Sequence, residues 1–205
     1  MKRSYFFVRH GQAIYQERGF DRSRYPKDLD WPLSSTGEAQ AHAVAPRLLR
    51  FGIERTVSSK LERARRTASV IAERARIPYD DRWGALNEIH PTRLRVGMES
   101  TEQDTWSWLD GLRGARALRA RLRTGEAPKG WDLSNVEERV SSVLARLDAL
   151  PEPRIAVVGH GYWILLASLL VRGQPRYRWI ANCSVTRIDA DGLGGYRLVS
   201  FASVL

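Results

Sequence analysis

Two short apolar runs, Tyr5–Val8 and Ile155–Val158, each lead into a histidine beside glycine: Arg9-His10-Gly11 after the first and Gly159-His160-Gly161 after the second. A β-branched or aromatic run of this length, closed by glycine, reads as a buried strand. The repetition of this pattern far apart in the chain makes a chance occurrence harder to sustain.

Further strand-like runs lie at Arg55–Ser58, Val185–Ile188 and Tyr196–Phe201, and helical patterns separate most of them. That order predicts an α/β fold, a sheet covered by helices on both faces, built as one domain over residues 1–205. Three capping boxes, Ser35…Glu38, Ser59…Glu62 and Ser134…Glu137, mark expected helix starts. After Ser59 the apolar positions Leu61, Ala64, Ala68, Ile71, Ala72 and Ala75 keep helical spacing; after Ser134, Val136, Val140, Val143, Leu144 and Leu147 do the same. Pro46 is expected to kink or restart the helix that begins near Gly37. From about His90 to Trp131 the pattern changes to a helical insertion laid over the sheet. Leu112, Ala115, Leu118 and Leu122 form its expected buried stripe, beneath Arg113, Arg116, Arg119, Arg121 and Arg123. Those arginines fit either a solvated face or a basic lid facing substrate.

The 17 residues Ile155–Val171 hold no Asp, Glu, Lys or Arg, which invites a membrane reading. Gly159-His160-Gly161 divides them into a strand-like and a helix-like half, so strand, turn and buried helix is the expectation, with no membrane partner. Cys183 is the only cysteine, which excludes an internal disulfide and fits a reducing compartment. The apolar stretch before Arg9 is too brief for an export signal, so the expected location is cytoplasmic. The net charge is +10, but only four of the 33 basic residues are lysine and the charges are spread along the chain. That distribution argues against a nucleic-acid partner and predicts attraction of small anionic substrates.

His10, at a strand's C-terminal tip, suits an exposed nucleophile; Arg9 beside it offers a planar donor fork for a phosphoryl group, and Gly11 permits close backbone approach. Imidazole titrates near neutrality, so a histidine can attack phosphorus unprotonated. Arg63, Arg65 and Arg66 stand near the start of the second helix, where free N–H groups already favour anions. Spacing does not choose among them. His160, among apolar neighbours, fits either a core residue or a second site residue. The four histidines form no HxxxH pair and Cys183 has no partner cysteine, so no metal is expected.

Together these residues resemble the histidine phosphatase (phosphoglycerate mutase-like) superfamily. Arg9-His10-Gly11 resembles its signature strand end. Leu33-Ser34-Ser35-Thr36-Gly37-Glu38-Ala39-Gln40-Ala41 is similar to its Leu-Thr-x-x-Gly-x-x-Gln-Ala helix start. Ser58-Ser59-Lys60-Leu61-Glu62-Arg63-Ala64-Arg65-Arg66-Thr67-Ala68 resembles its Ser-Ser-Pro-Leu-x-Arg-Ala-x-Gln-Thr-Ala element, and Val157-Val158-Gly159-His160-Gly161 its second histidine motif. Leu86-Asn87-Glu88 and Asn182-Cys183-Ser184-Val185 are weaker echoes. The resemblance implies that His10 is the phosphorylated nucleophile and that Arg9, Arg63 and His160 clamp the phosphoryl group. It also implies that Glu88 gives a proton to the leaving group, and that the site lies at the strand C-terminal ends. The fold it implies is a three-layer α/β/α sandwich around a mostly parallel central sheet, with neither metal nor organic cofactor used. Gly11, Gly161 and Gln16, the last where the family often has Asn, join the expected phosphate-binding set.

The sequence departs from the pattern at Lys60 and Arg66, which add positive charge, and at Ile89-His90-Pro91, where the mutase-like Arg-His-Tyr-Gly is missing. The function implied is a metal-independent phosphatase acting on phosphomonoesters through phosphohistidine. The alternatives are a phosphoglycerate-mutase-type transferase and a non-catalytic polyanion-binding protein on the same fold.

Overall fold

The computed structural model describes residues 2–24, 30–96, 108–171 and 180–204. Among these residues six strands form one sheet: β1 (Arg3–Arg9), β2 (Arg55–Ser58), β3 (Tyr79–Asp80), β4 (Arg154–Gly159), β5 (Val185–Ala190) and β6 (Tyr196–Ser203), in the order β3-β2-β4-β1-β5-β6. The pairs β3/β2, β2/β4 and β4/β1 are parallel, whereas β5 runs antiparallel to both β1 and β6. The helices are α1 (Ser35–Leu49), α2 (Glu62–Ala75), α3 (Trp108–Thr124), α4 (Ser134–Asp148) and α5 (Gly161–Leu170).

Side chains of β1 and β4 alternate between two cores. Phe6, Val8, Ala156 and Val158 pack with Val44 and Leu48 of α1 and Ala64, Ala68 and Ile71 of α2. Tyr5, Phe7, Ile155 and Val157 pack on the other face with Leu118, Val136, Val140 and Trp163 from α3, α4 and α5. Burial on both faces explains why these strands lack polar alternation. The α/β/α sandwich follows as expected. The uncharged stretch is β4, a turn at His160, and the buried α5; among the described residues no helix is long and apolar enough to cross a membrane.

The expected helix caps need correction. Ser34, not Ser35, caps α1, its Oγ accepting the Gly37 N–H at 3.1 Å. Leu61 and Leu133 occupy the cap positions of α2 and α4 without side-chain caps. Ser59 is engaged elsewhere, and Ser134 is the first residue inside α4, its N–H bonded to Asp132 Oδ1 at 3.0 Å. Nor does Pro46 break α1, which continues to Leu49. Pro46 and His42 are both exposed, so the carbonyl that loses its amide partner faces water. In α3, Ala115 and Leu118 are buried as expected, but Leu112 is half-buried and Leu122 is 48% exposed. The stripe runs out because the last turns of α3 extend past the surface they cover. Residues 97–107 of the expected insertion lie outside the described residues.

Local packing at the end of β1 explains the second family motif. Ser34 N–H donates to the Gln12 carbonyl (2.9 Å), and the Gln12 N–H donates to Gln40 Oε1 (2.8 Å). Backbone meets backbone here: a Cβ on Gly37 would lie 2.1 Å from Gln12 O, and one on Gly11 would lie 2.5 Å from Gly37 O. Gly37→Ala should therefore destabilise the fold by about 1–3 kcal/mol through overpacking, a shift measurable by urea unfolding; an unchanged midpoint would refute this contact.

Candidate active site

The three parallel strands β1, β4 and β2 bring the expected residues together. Arg9 pairs in register with Gly159, and Ser58 with Val158, so His10, Ser59 and His160 leave the sheet side by side. The His10 and His160 rings stand 5.1 Å apart between centroids, edge to face. Arg63, in the first turn of α2, reaches between them: its Nε donates to His10 Nε2 at 3.3 Å, and Nη2 lies 3.5 Å from His160 Nδ1. The geometry of the helix start thus chooses Arg63 over its neighbours. Arg65 pairs with Asp81 and Arg66 with Glu38 on the exposed side of α2.

These contacts fix the tautomer of His10. A guanidinium only donates, so Nε2 carries a lone pair. Nδ1 lies 2.7 Å from the Gly11 carbonyl, which only accepts, so the proton is on Nδ1. Burial above all, then the charges of Arg63 and Arg9, hold the His10 pKa well below the ordinary imidazole value. The same order of causes, burial first and Arg63 next, lowers His160. His160 Nε2 lies 2.8 Å from Ser59 Oγ, a hydroxyl able to donate or accept, so His160 can carry its proton on either ring nitrogen. Both imidazoles are neutral at pH 7, and the one at position 10 presents an unprotonated Nε2.

Arg9 is buried; its Nη1 donates to the Ile180 carbonyl. Gly161 opens α5 beside it, and a Cβ there would sit 3.3 Å from Arg9 Cδ. Glycine at 161 therefore lets the guanidinium lie against the start of α5. Gly11 has both backbone groups engaged, its carbonyl by His10 and its N–H by Thr67 Oγ1 at 3.0 Å, so it orients the imidazole rather than offering a free donor. Gln16 spends its side-chain carbonyl on the Ala13 N–H (2.9 Å) and Asn182 Nδ2 (3.3 Å).

Glu88 sits at the N-terminus of α5, where Oε1 accepts the Trp163 N–H at 3.0 Å and the Ile89 N–H at 3.1 Å. Its carboxyl feels Arg63 and Arg9, which places it in the field of the same pocket. Burial raises its pKa above the ordinary carboxylate value, against the lowering pull of those N–H donors and guanidiniums.

Several partners escaped the sequence reading. Asp30 caps α2 from a distant loop: Oδ2 accepts the Glu62 N–H at 2.7 Å, while Oδ1 lies 3.7 Å from Arg63 Nη1. Asn182, noted in the sequence only within a weak family echo, donates from Nδ2 to the His10 carbonyl at 2.9 Å, and Tyr15 lies under Arg63 with its ring centroid 5.8 Å from Cζ. The α3 arginines are mostly exposed, and Arg121 pairs with Glu137. Arg113 and Arg116 line a cavity of about 390 Å³ with Arg95 and Trp131, which none of the site side chains above helps to form. Among the described residues, no three His, Cys, Asp or Glu side chains form a metal-holding group.

Residues 5–203 match the histidine phosphatase superfamily (branch 1). The chain belongs to this superfamily. It is 28% identical over 191 residues to a probable phosphoglycerate mutase GpmB of Erwinia tasmaniensis, covering 90% of this chain and 83% of that protein. Its Escherichia coli counterpart is 29% identical over the same spans. Among solved structures, mycobacterial glucosyl-3-phosphoglycerate phosphatase, captured with vanadate, aligns at TM-score 0.62 with 26% identity over 97% of this chain and 98% of that one. A second mycobacterial structure, described as hydrolase 1, aligns at 0.65 with 25% identity over 99% of each.

Proposed function

We propose that this superfamily member hydrolyses small anionic phosphomonoesters through a phosphohistidine at Nε2 of His10. The observation that carries the reading is the buried, neutral His10 with its Nε2 lone pair turned toward a guanidinium. No structural role needs that arrangement, since burying an imidazole against two arginines opposes folding stability.

The substrate's phosphoryl group would take the place between Arg9, Arg63 and His160, with the Nε2 amide of Gln16 as a further donor. His10 Nε2 attacks phosphorus, the bond from phosphorus to the ester oxygen breaks, and Glu88 delivers its proton to that oxygen. The positive charge created on the imidazole is spread toward Nδ1–H, which keeps its bond to the Gly11 carbonyl. Water then attacks the phosphoryl group and gives a proton back to Glu88, and the N–P bond electrons return to Nε2. The guanidiniums act mainly by surrounding charge that sits on the transferring oxygens.

The mutase reading has one observation in its favour, the names carried by the GpmB relatives. Against it stands the missing Arg-His-Tyr-Gly after Glu88, which removes a handle that would hold a substrate for return transfer. Sustained phosphate release from 3-phosphoglycerate or an alkyl phosphate separates the two, because a mutase isomerises without it.

The pKa directions give a signed pH test. His10 must be neutral to attack, so kcat/KM rises with pH through its lowered pKa and the acid limb falls below pH 6.5. Glu88 must be protonated, so activity on an alkyl phosphate declines as pH rises through its raised value. In Glu88→Gln the alkaline limb should vanish, with a loss of about 10²–10⁴-fold on alkyl esters and little on p-nitrophenyl phosphate. An alkaline limb that survives this substitution would remove Glu88 from the proton-donor role.

A further inference from the structure

The loop that carries Glu88 is held from outside the pocket by one side chain the reaction scheme leaves unused. Arg139, in the second turn of α4, donates from Nε and Nη2 to the Ala85 carbonyl at 3.2 and 3.1 Å, and from Nη2 to the Asn87 carbonyl. Trp163 Nε1 donates to the same Ala85 carbonyl at 2.9 Å, while the Trp163 backbone N–H binds Glu88 Oε1. Asn87 Oδ1 in turn accepts the Lys60 N–H at 3.0 Å, at the entry to α2. Residues 85–88 are thus stitched to α4, α5 and the start of α2 at once.

Arg139 is half-buried and, among the described residues, has no carboxylate within ion-pair distance. The acidic group that acts on it most strongly is Glu88 itself, and its charge also reaches His160. A neutral amide would serve a purely mechanical clamp on two carbonyls without desolvating a cation. A guanidinium adds two things an amide lacks: a rigid planar fork that spans carbonyls two residues apart, and a positive charge behind Glu88.

Resting on the phosphatase reading, we infer that Arg139 is a positioning residue for proton transfer: it fixes the loop so that the Glu88 carboxyl meets the leaving oxygen, and it steadies the carboxylate formed when that proton departs. Arg139 does not touch substrate. Its contribution runs wholly through Glu88, so it matters in proportion to how much the leaving group needs an acid.

The test compares an alkyl phosphate with p-nitrophenyl phosphate in wild type, Arg139→Met, Arg139→Lys, Glu88→Gln and the Glu88→Gln/Arg139→Met double variant. For Arg139→Met we expect kcat on the alkyl ester to fall by about 10- to 100-fold, part of what the acid itself provides. The aryl ester should change by less than about threefold, since its leaving group needs little protonation. Arg139→Lys, which keeps the charge but not the fork, should fall between. The double variant should lose no more than Glu88→Gln alone, the non-additivity of residues acting as a unit.

Equal losses on both esters, or additive losses in the double variant, would show a general structural role and overturn the inference. Should Arg139→Met lack a cooperative melt, the leaving-group ratio of Arg139→Lys decides instead: an unchanged ratio overturns it, and an altered one supports it. A wild type that hydrolyses neither ester refutes the phosphatase reading. A wild type that hydrolyses both while Arg139 variants ignore the leaving group refutes only this inference.

Discussion

His10→Ala eliminates turnover. We expect phosphate release to fall by at least about 10⁴-fold, the scale seen when a nucleophile acting as part of a unit is removed. Alanine also deletes the acceptor of the Arg63 Nε–H, so the guanidinium remains to bind phosphate but nothing is left to receive it. Binding of inorganic phosphate or vanadate should therefore outlast catalysis in this variant. The check is steady-state phosphate release together with equilibrium binding of vanadate. Activity within tenfold of wild type would mean another group attacks phosphorus. The surrounding fold should tolerate the change, because the imidazole is held by contacts to Gly11 and Arg63 and leaves the two hydrophobic cores untouched.

Arg63→Ala ranks next. This one side chain directs His10 Nε2 and approaches His160 Nδ1, so its removal costs orientation as well as charge. A preorganised donor to a transferring group is worth about 10²–10³-fold in kcat, and Arg63 also orients the nucleophile through its Nε–H. We expect a loss near the upper end, about 10³-fold. Arg63→Lys should recover little, because an ammonium cannot reach both rings as a planar fork does. With Arg63 gone, the largest charge holding down both imidazoles disappears, so the acid limb of the pH profile should move to higher pH. A variant with lower activity but an unmoved acid limb would contradict the electrostatic part of this account.

What the sequence makes legible is the sheet and the residues that leave its strand ends. The runs Tyr5–Val8 and Ile155–Val158 lie within β1 and β4, and their register alone brings positions 10 and 160 together. Strand β3 escapes notice because two residues, Tyr79 and Asp80, are too few to display a period. The caps mislead for a chemical reason. Ser59 has the right spacing to cap α2, but its hydroxyl holds His160, and the cap arrives instead from Asp30, across a sequence separation of 32. Glu88 carries no local mark among the acidic residues, and only the family resemblance singles it out. Its supports, Arg139 and Trp163, lie on other helices, and long-range hydrogen bonds of this kind leave no trace in periodicity. Arg63 is an intermediate case. Composition offers three arginines, and the geometry of the helix start turns one inward and two outward.

One measurement bears most directly on the account. Rapid-quench of the wild type with a phosphomonoester, followed by mass spectrometric mapping under alkaline conditions that preserve phosphoramidates, locates the transferred group. The phosphoryl group is predicted on His10, at Nε2, because Nδ1–H is tied to the Gly11 carbonyl. Phosphate on His160, on Ser59 or on Nδ1 of His10 would contradict the geometry from which the mechanism is built.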